Sequence, residues 1–570
     1  MRTRSSKHRP ALRRVATAGT GLVAVALTAA VAVVGLPAGS GAVVGPESDV
    51  ERVEASTPER VLVCPAPVRL ADSAQVGDAQ FGAAPVETAT ELRAGVVGAR
   101  ATADGPAAAP GETPVTLTGL DGLDASPLDA GSGATVVSMA EVADGQVLRV
   151  GAGMPVDTRV AASSGSTTGA GDLRGLAAAS CSAPGIDHWL VGGSTEVGSS
   201  AQLVLQNPGR TPATVRLSVW GPGGPVVLSG GGQHLVPPGG EVVTLVEAAA
   251  PEQRRLAVRV ESSGGMVAAY LQHSTLAGLV PLGVDHVVPG AAPGAAVAVG
   301  FTSSGEPVDD PLAPQVRLLA PGAEAGSATL TVYGPDGRVR VRGGEQVELT
   351  PGVVTDQSLG GLPAGTYTVV VDSTVPVVAG SVEARPGDPV PESPSGQASV
   401  ERAWHAATAV PASSAEPDGA SPSRTDDRGT VALVPGTSNV VRVGAVPAER
   451  SEGSDPTGSF RGTLRAYAAD GSLLGERGLD VPAGSTTTVA ALDLGAGAEP
   501  AVLTLDESEE TGAAGRAAVV WSVLATTGPA PDGAPEGAPG SLVSVLLPVP
   551  AAASQGSVDV RATRTAGLPR

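Results

Sequence analysis

The chain repeats itself, and the repeat limits what it can fold into. Residues 203–224, LVLQNPGRTPATVRLSVWGPGG, return at 316–337 as VRLLAPGAEAGSATLTVYGPDG, a constant 113 residues later and without a gap. Pro208 falls on Pro321, Gly209 on Gly322, Leu217 on Leu330, Val219 on Val332 and Trp220 on Tyr333. Each copy reads as an alternating strand, a Pro-Gly loop, a second alternating strand and a tight turn, the pattern of a β-hairpin with one buried face. A spacing of about 110 residues suits an immunoglobulin-sized sandwich and is far from the ~40–50 of a propeller blade. The expected fold is all-β: tandem immunoglobulin-like β-sandwich modules behind an N-terminal transmembrane helix.

Extending the pattern in both directions divides the chain. A basic segment (1–14) and an apolar helix (15–36) precede a polar stalk (43–60) and a β-rich N-terminal domain (61–184). Module 1 covers 185–282 and module 2 covers 283–384, each opening on an Asp-His pair, Asp187-His188 and Asp285-His286. Prolines and charges in 385–400 mark a linker. A diverged module 3 spans 401–550, with Trp404 in the place of Trp189, and a disordered tail ends the chain at 551–570. Trp220, Tyr333 and Tyr467 share one repeat position just before a turn. Aromatic residues are only 2% of the chain, so each small core is expected to lean on such a ring at its end.

Charge and the N-terminus bear on compartment. The formal charge is −21, and six basic residues precede the first acid, Glu47, so the main body is more acidic still. Such a body repels nucleic acid, and no nucleic-acid partner is expected. Residues 15–36 carry no charge over 22 positions, long enough to span a bilayer, and the flanking basic residues place the body outside. The alternative is secretion after signal-peptide cleavage near Ser40-Gly41-Ala42. Cys64 and Cys181 are the whole cysteine complement; in an oxidising compartment an even pair reads as one disulfide.

The segments WLVGGST (189–195), LVLQNPG (203–209), TPATV (211–215) and VWGPGG (219–224) resemble the DUF5719 family, exported actinobacterial proteins of unknown function. They are also similar to the LLLQNP-type repeats of large bacterial surface proteins. The resemblance is strongest over 181–224 and weaker over 316–384. It implies a cell-envelope protein and brings no catalytic residues.

Catalytic motifs are absent from the sequence: no GxSxG, HExxH, phosphate loop or CxxC occurs. Adjacent residues on a strand face opposite ways, so an Asp-His pair cannot by itself hold an ion; both pairs read as module-entry turns. Asp506, Glu507, Glu509 and Glu510 read as a solvated acidic loop. No catalytic, cofactor-binding or metal residues are expected, and the protein is expected not to be an enzyme. The expected function is that of an exported cell-envelope scaffold, anchored in the membrane, for adhesion or for binding cell-wall glycan or another envelope protein. The alternative is an accessory factor for cell-wall polysaccharide or glycoprotein assembly acting through a partner enzyme.

Overall fold

The computed structural model describes residues 50–53, 59–71, 88–98, 115–123, 126–128, 133–152, 154, 158–341, 344–389, 397–411, 427–450, 456–495, 497–508, 517–528, 540–550 and 558–561. Residues 1–14 and 15–36, which carry the membrane reading, lie outside that set. Among the described residues no helix is long and apolar enough to cross a membrane.

Most of the described backbone is strand, and helix is confined to two single turns. By itself stands a two-stranded antiparallel ribbon, β1 (Val50–Val53) with the chain's last strand (Val558–Arg561). The expected stalk and disordered tail thus each hold a strand; VERV and VDVR, both made of valine and charged residues, pair in register with Arg52 opposite Asp559.

The remainder is four modules. The N-terminal one contains β2 (Arg60–Val63), β3 (Thr88–Val97), β4 (Val115–Gly119), β5 (Ser126–Leu128), β6 (Ala134–Ala140), β7 (Gln146–Val150), β8 (Arg159–Thr168) and β9 (Gly175–Ser180). Module 1 contains β10 (Asp187–Val191), β11 (Ser199–Asn207), β12 (Ala213–Gly221), β13 (Gly224–Val226), β14 (Gln233–Val236), β15 (Gly240–Leu245), the one-turn α1 (Val246–Ala249), β16 (Ala257–Ser263), β17 (Ala268–Ala277) and β18 (Val280–Val287). Module 2 contains β19 (Gly294–Ser303), β20 (Gln315–Leu319), β21 (Gly326–Gly334), β22 (Gly337–Val339), β23 (Gln346–Leu349), β24 (Thr355–Ser358), β25 (Gly365–Pro389), β26 (Ala398–Ala406) and β27 (Thr408–Ala409). Module 3 contains β28 (Asp427–Ala432), β29 (Ser438–Val446), β30 (Ser459–Tyr467), β31 (Leu473–Pro482), β32 (Ser485–Ala490), α2 (Ala491–Leu494), β33 (Val502–Glu507), β34 (Ala518–Thr527) and β35 (Leu542–Leu546); β36 is the ribbon strand at Val558–Arg561.

One strand order serves all four. The N-terminal module pairs β2-β7-β4-β5 over β6-β3-β8-β9, module 1 pairs β10-β16-β12-β13 over β15-β11-β17-β18, and module 3 pairs β28-β33-β30-β31 over β32-β29-β34-β35. Module 2 follows suit, with β25 supplying both the sixth and the seventh strand by crossing from one sheet to the other. Each pair of sheets encloses one apolar core. The N-terminal domain is therefore a further copy of the module.

Boundaries differ from the sequence reading in three places. Asp285-His286 lies on β18, the last strand of module 1, so it does not open module 2; Asp187-His188 lies on the first strand, β10. Trp404 sits on β26, the last strand of module 2, and is not the counterpart of Trp189 on β10. The expected linker is the distal half of a β25–β26 hairpin, with Arg385 opposite Glu401 and Pro386 opposite Val400. Beyond Val382, β25 has β26 as its only partner among the described strands, and proline is tolerated where a strand is paired on one side alone.

The modules close into a ring. The sheet holding the first and sixth strands of one module docks on the opposite sheet of the next. Between modules 1 and 2, Trp189, Val191, Ala257 and Trp220 meet Leu319, Val354 and Val378. Between modules 2 and 3, Ala296, Tyr333 and Val370 meet Val446 and Val520, and between the N-terminal module and module 1, Val63 and Val147 meet Ala268. Module 3 returns to the N-terminal module through Asp506, which bridges Arg465 of β30 and Arg159 of β8. On the axis β18 lies against β9 and β26, and β35 against β26 and β9.

This double coverage explains the strand sequences. β12 buries every second residue, Ala213, Val215, Leu217 and Val219. β8 and β34 are buried along nearly their whole length and read as unbroken small or apolar runs, because both of their faces are covered. Close approach also demands glycine: a Cβ on Gly380 of β25 would lie 2.5 Å from the backbone carbonyl of Val191 in module 1. Backbone cannot swing aside, so Gly380→Ala should destabilise the protein by about 1–3 kcal/mol. Denaturant unfolding measures this, and an unchanged midpoint would mean that the seam is looser than described.

Candidate functional site

The axis is built around one buried carboxyl. β18 carries Asp285 there, where it is 1% exposed. Its Oδ2 accepts the backbone N–H of Trp404 on β26 at 2.7 Å, and its Oδ1 is 2.7 Å from Ser544 Oγ on β35. Ser544 Oγ also accepts the Ala178 N–H of β9 at 3.1 Å and donates to the Ala178 carbonyl at 2.8 Å. One carboxyl and one hydroxyl thus tie together the last strands of all four modules. Burial pushes Asp285 well above the ordinary carboxylate range. The single Ser544 hydrogen cannot serve both Ala178 and Asp285; a protonated Asp285 satisfies the count by donating to Ser544 Oγ.

The histidines surrounding the axis are equally desolvated. His286 stacks edge-on against Tyr270 at 5.1 Å, neither ring nitrogen has a hydrogen-bond partner among the described residues, and burial pushes it down to about 4. His405 donates from Nδ1 to the Gly300 carbonyl and is pushed down to about 3 by burial and then by Arg442. His273 is pushed down to about 3 by burial, then by Arg402 and Arg317. His188 and His234 are lowered too, burial being the first cause in each. Ser194 Oγ lies 3.3 Å from His273 Nε2; with so weak a base, that pair is poorly placed to activate a nucleophile at neutral pH.

Where the last strands end, a half-open cleft of about 490 Å³ forms one mouth of the axis. Its walls are largely apolar and include Leu62, Pro184, Pro289, Pro548 and Met266, the last 56% exposed. Both ends of the ring, Glu59 and Pro550, lie on it. The Cys64–Cys181 disulfide is formed and Cys181 lines the cleft.

Other sequence-chosen residues fall into the seams. Trp220 and Tyr333 stand next to last on the third strands β12 and β21, and Tyr467 ends β30. Trp220 stacks on Trp189 at 5.3 Å beside module 2 and Tyr333 is buried against module 3, so these two rings fill joints between modules and do not cap their own cores. Asp187 pairs with Arg259 through two hydrogen bonds, and Asp285 bonds across modules; neither forms a local turn. Asp506 and Glu507 lie on β33, the former in the seam described above and the latter bound to Arg428, so this part of the acidic run is structural. Glu509 and Glu510 lie outside the described residues. No cluster of metal-ligating side chains occurs among the described residues.

One feature escaped sequence reading. A polar pocket of about 270 Å³ lies in the seam between modules 1 and 2, lined by Ser194, Ser199, Arg254, His273, Arg317 and Arg402 among others. Its residues come from strands and loops more than 200 positions apart, and its only local signal is arginine inside otherwise apolar runs.

A family model, DUF5719, described as a family of unknown function, matches residues 136–492. The chain belongs to the DUF5719 family. The range matched to DUF5719 runs from β6 through modules 1 and 2 to α2, and so takes in the whole of the seam between modules 1 and 2. No curated protein matches the chain.

Two outcomes follow for the mouth and the axis. The disulfide closes 117 residues, so reduction or Cys64→Ser should cost about 4–5 kcal/mol, visible as a lower urea midpoint; equal midpoints with and without reductant would contradict it. His286 is neutral in the fold down to about 4 but protonates near 6.5 when unfolded. Its contribution is therefore lost as pH falls through that window, and His286→Phe should flatten the decline of melting temperature between pH 6.5 and 4. Asp285 acts in the opposite sense, losing stability as pH rises from the unfolded carboxylate value toward its raised folded one.

Proposed function

We propose that the protein is a non-enzymatic scaffold of the cell envelope, exported and held at the membrane by residues 15–36, with the ring outside. The observation that carries this reading is the use made of its reactive groups. Every histidine among the described residues is lowered by burial, and both cysteines are joined. The sandwiches spend their sheet faces on one another, which leaves loop ends and cavities for outside contact. A disulfide of this kind fits an oxidising compartment, and the acidic body keeps a surface protein soluble and apart from anionic polymers.

Within that reading the mouth cleft is the adhesive surface, and its partner is another envelope protein, because its walls are apolar and proline-lined where a glycan would call for polar ones. In vivo photo-crosslinking from a probe placed at Met266 tests it. Expected is a discrete membrane- or wall-associated protein adduct that disappears when Met266 is replaced by Asp in a chain carrying its probe at Val288. Recovery of the chain from the cytosolic fraction, or of glycan adducts alone, would overturn it.

A further inference from the structure

The ring answers each of its fully buried arginines with an acid, and a partly buried arginine in the seam pocket has none among the described residues. Each fully buried arginine has a carboxylate within ion-pair distance: Arg93 has Glu499 at 3.9 Å, Arg317 has Asp356 at 2.8 Å, Arg442 has Glu383 at 3.2 Å and Arg450 has Asp372 at 2.6 Å. Arg402, on β26, is partly buried and has neither ion pair nor side-chain hydrogen bond among the described residues. Burial and then the neighbouring Arg317 lower its affinity for its proton. An unpaired guanidinium held away from water costs free energy unless an anion or solvent answers it.

Its surroundings are built for an anion. Arg402 and Trp404 are two apart on β26 and share one face, and both line the pocket. The indole Nε1–H of Trp404 is buried with no acceptor among the described residues. Arg317 lies 5.2 Å over the Trp404 ring, its guanidinium fixed by two bonds to Asp356 and by the Gly193 carbonyl. A hydroxyl chain also lines the pocket: Ser194 donates to Ser199 at 2.8 Å, and Ser199 contacts Thr275 at 3.3 Å. Arg254 and Glu196, both exposed, complete the charged lining. Asp356 is shared by Arg317 and Arg255 and burial keeps His273 uncharged at neutral pH, so arginines outnumber carboxylates around the pocket and Arg402 is the partly buried one without an ion pair among the described residues.

We propose that this pocket binds a small ligand bearing an oxyanion, a carboxylate or phosphate on a body no larger than a sugar, with Arg402 as the anchoring cation. A volume of about 270 Å³ is room for one such group. Guanidinium matches both oxyanions in geometry. The site stands on its own geometry and is independent of the scaffold reading and of the mouth cleft.

The test titrates purified full-length protein with glucose 6-phosphate, glucuronate, inorganic phosphate and uncharged glucose at fixed ionic strength, following tryptophan fluorescence and melting temperature. At least one anion should saturate the signal and glucose should not; saturation by inorganic phosphate identifies free phosphate as sufficient, and saturation by the sugar anions alone identifies the sugar acid. Arg402→Gln should weaken binding by about tenfold or more while melting no lower than the parent in the absence of ligand, since it removes an uncompensated charge. Trp404→Phe should keep binding within about tenfold but lose the fluorescence change. No saturation by any anion up to about 10 mM, undiminished binding by Arg402→Gln, or a lower ligand-free melting temperature for that variant would each overturn the proposal.

Discussion

The contact between Asp285 and Ser544 is the point on which the architecture closes. Four sandwiches in a row would form an open string; what makes them a ring is that their last strands converge on the axis and satisfy one another's polar groups. Within an apolar axis an unmet carboxyl or hydroxyl is costly, whereas a fully bonded pair fixes a single arrangement. Asp285 reaches β26 and β35 directly and β9 through Ser544, so no module can shift without leaving a buried polar atom exposed to nothing. The same demand explains why the carboxyl is kept neutral. A charge at that depth would need a cation, and none of its hydrogen-bond partners supplies one.

Ring closure then dictates composition. Each sheet has a neighbour on both sides, and close-packed sheets require thin side chains. Strands at the seams are accordingly rich in Val, Ala, Ser and Gly, and aromatics fall to 2% of the chain. The few rings that remain are spent where a wider gap must be filled: Trp189 and Trp220 together in one seam, Tyr333 in the next. Buried arginines perform the polar equivalent. Arg93, Arg317 and Arg442 each stand on the second strand of a module and meet an acid, Arg93 and Arg442 across a seam and Arg317 within its own module.

How much of this was legible depended on whether the information was local. The hairpin at 203–224 and its copy at 316–337 betray themselves by alternation and turn residues, and Asn207 shows why the motif persists: its side chain bonds Thr211, Val236 and Gly209 and so closes the loop on itself. The N-terminal module hides because its strands are interrupted by long stretches and its third strand bears no ring. Module ends were misplaced because the last strands, β18 and β26, begin with charged or proline-rich sequence and owe their pairing to a preceding long strand. Asp187 and Asp285 look alike in sequence, yet one is an exposed partner of Arg259 and the other the buried clasp; only the surrounding modules distinguish them. The seam pocket was illegible for the same reason, since Ser194, His273, Arg317 and Arg402 meet only when two modules dock.

The contrast between the axis and that pocket sharpens the functional argument. Both lie on the same strand, β26, which presents Trp404 N–H to Asp285 and the Arg402 side chain to the seam. At the axis the fold has removed charge by keeping a proton; in the seam it has retained a charge that nothing among the described residues neutralises. Structural need accounts for the first, because ring closure fails without it. It does not account for the second: a glutamine at position 402 would fill similar space at no electrostatic cost. A fold that answers its fully buried arginines with acids and leaves this one without a partner among the described residues gives the seam pocket the sign of charge that the proposed anion would meet.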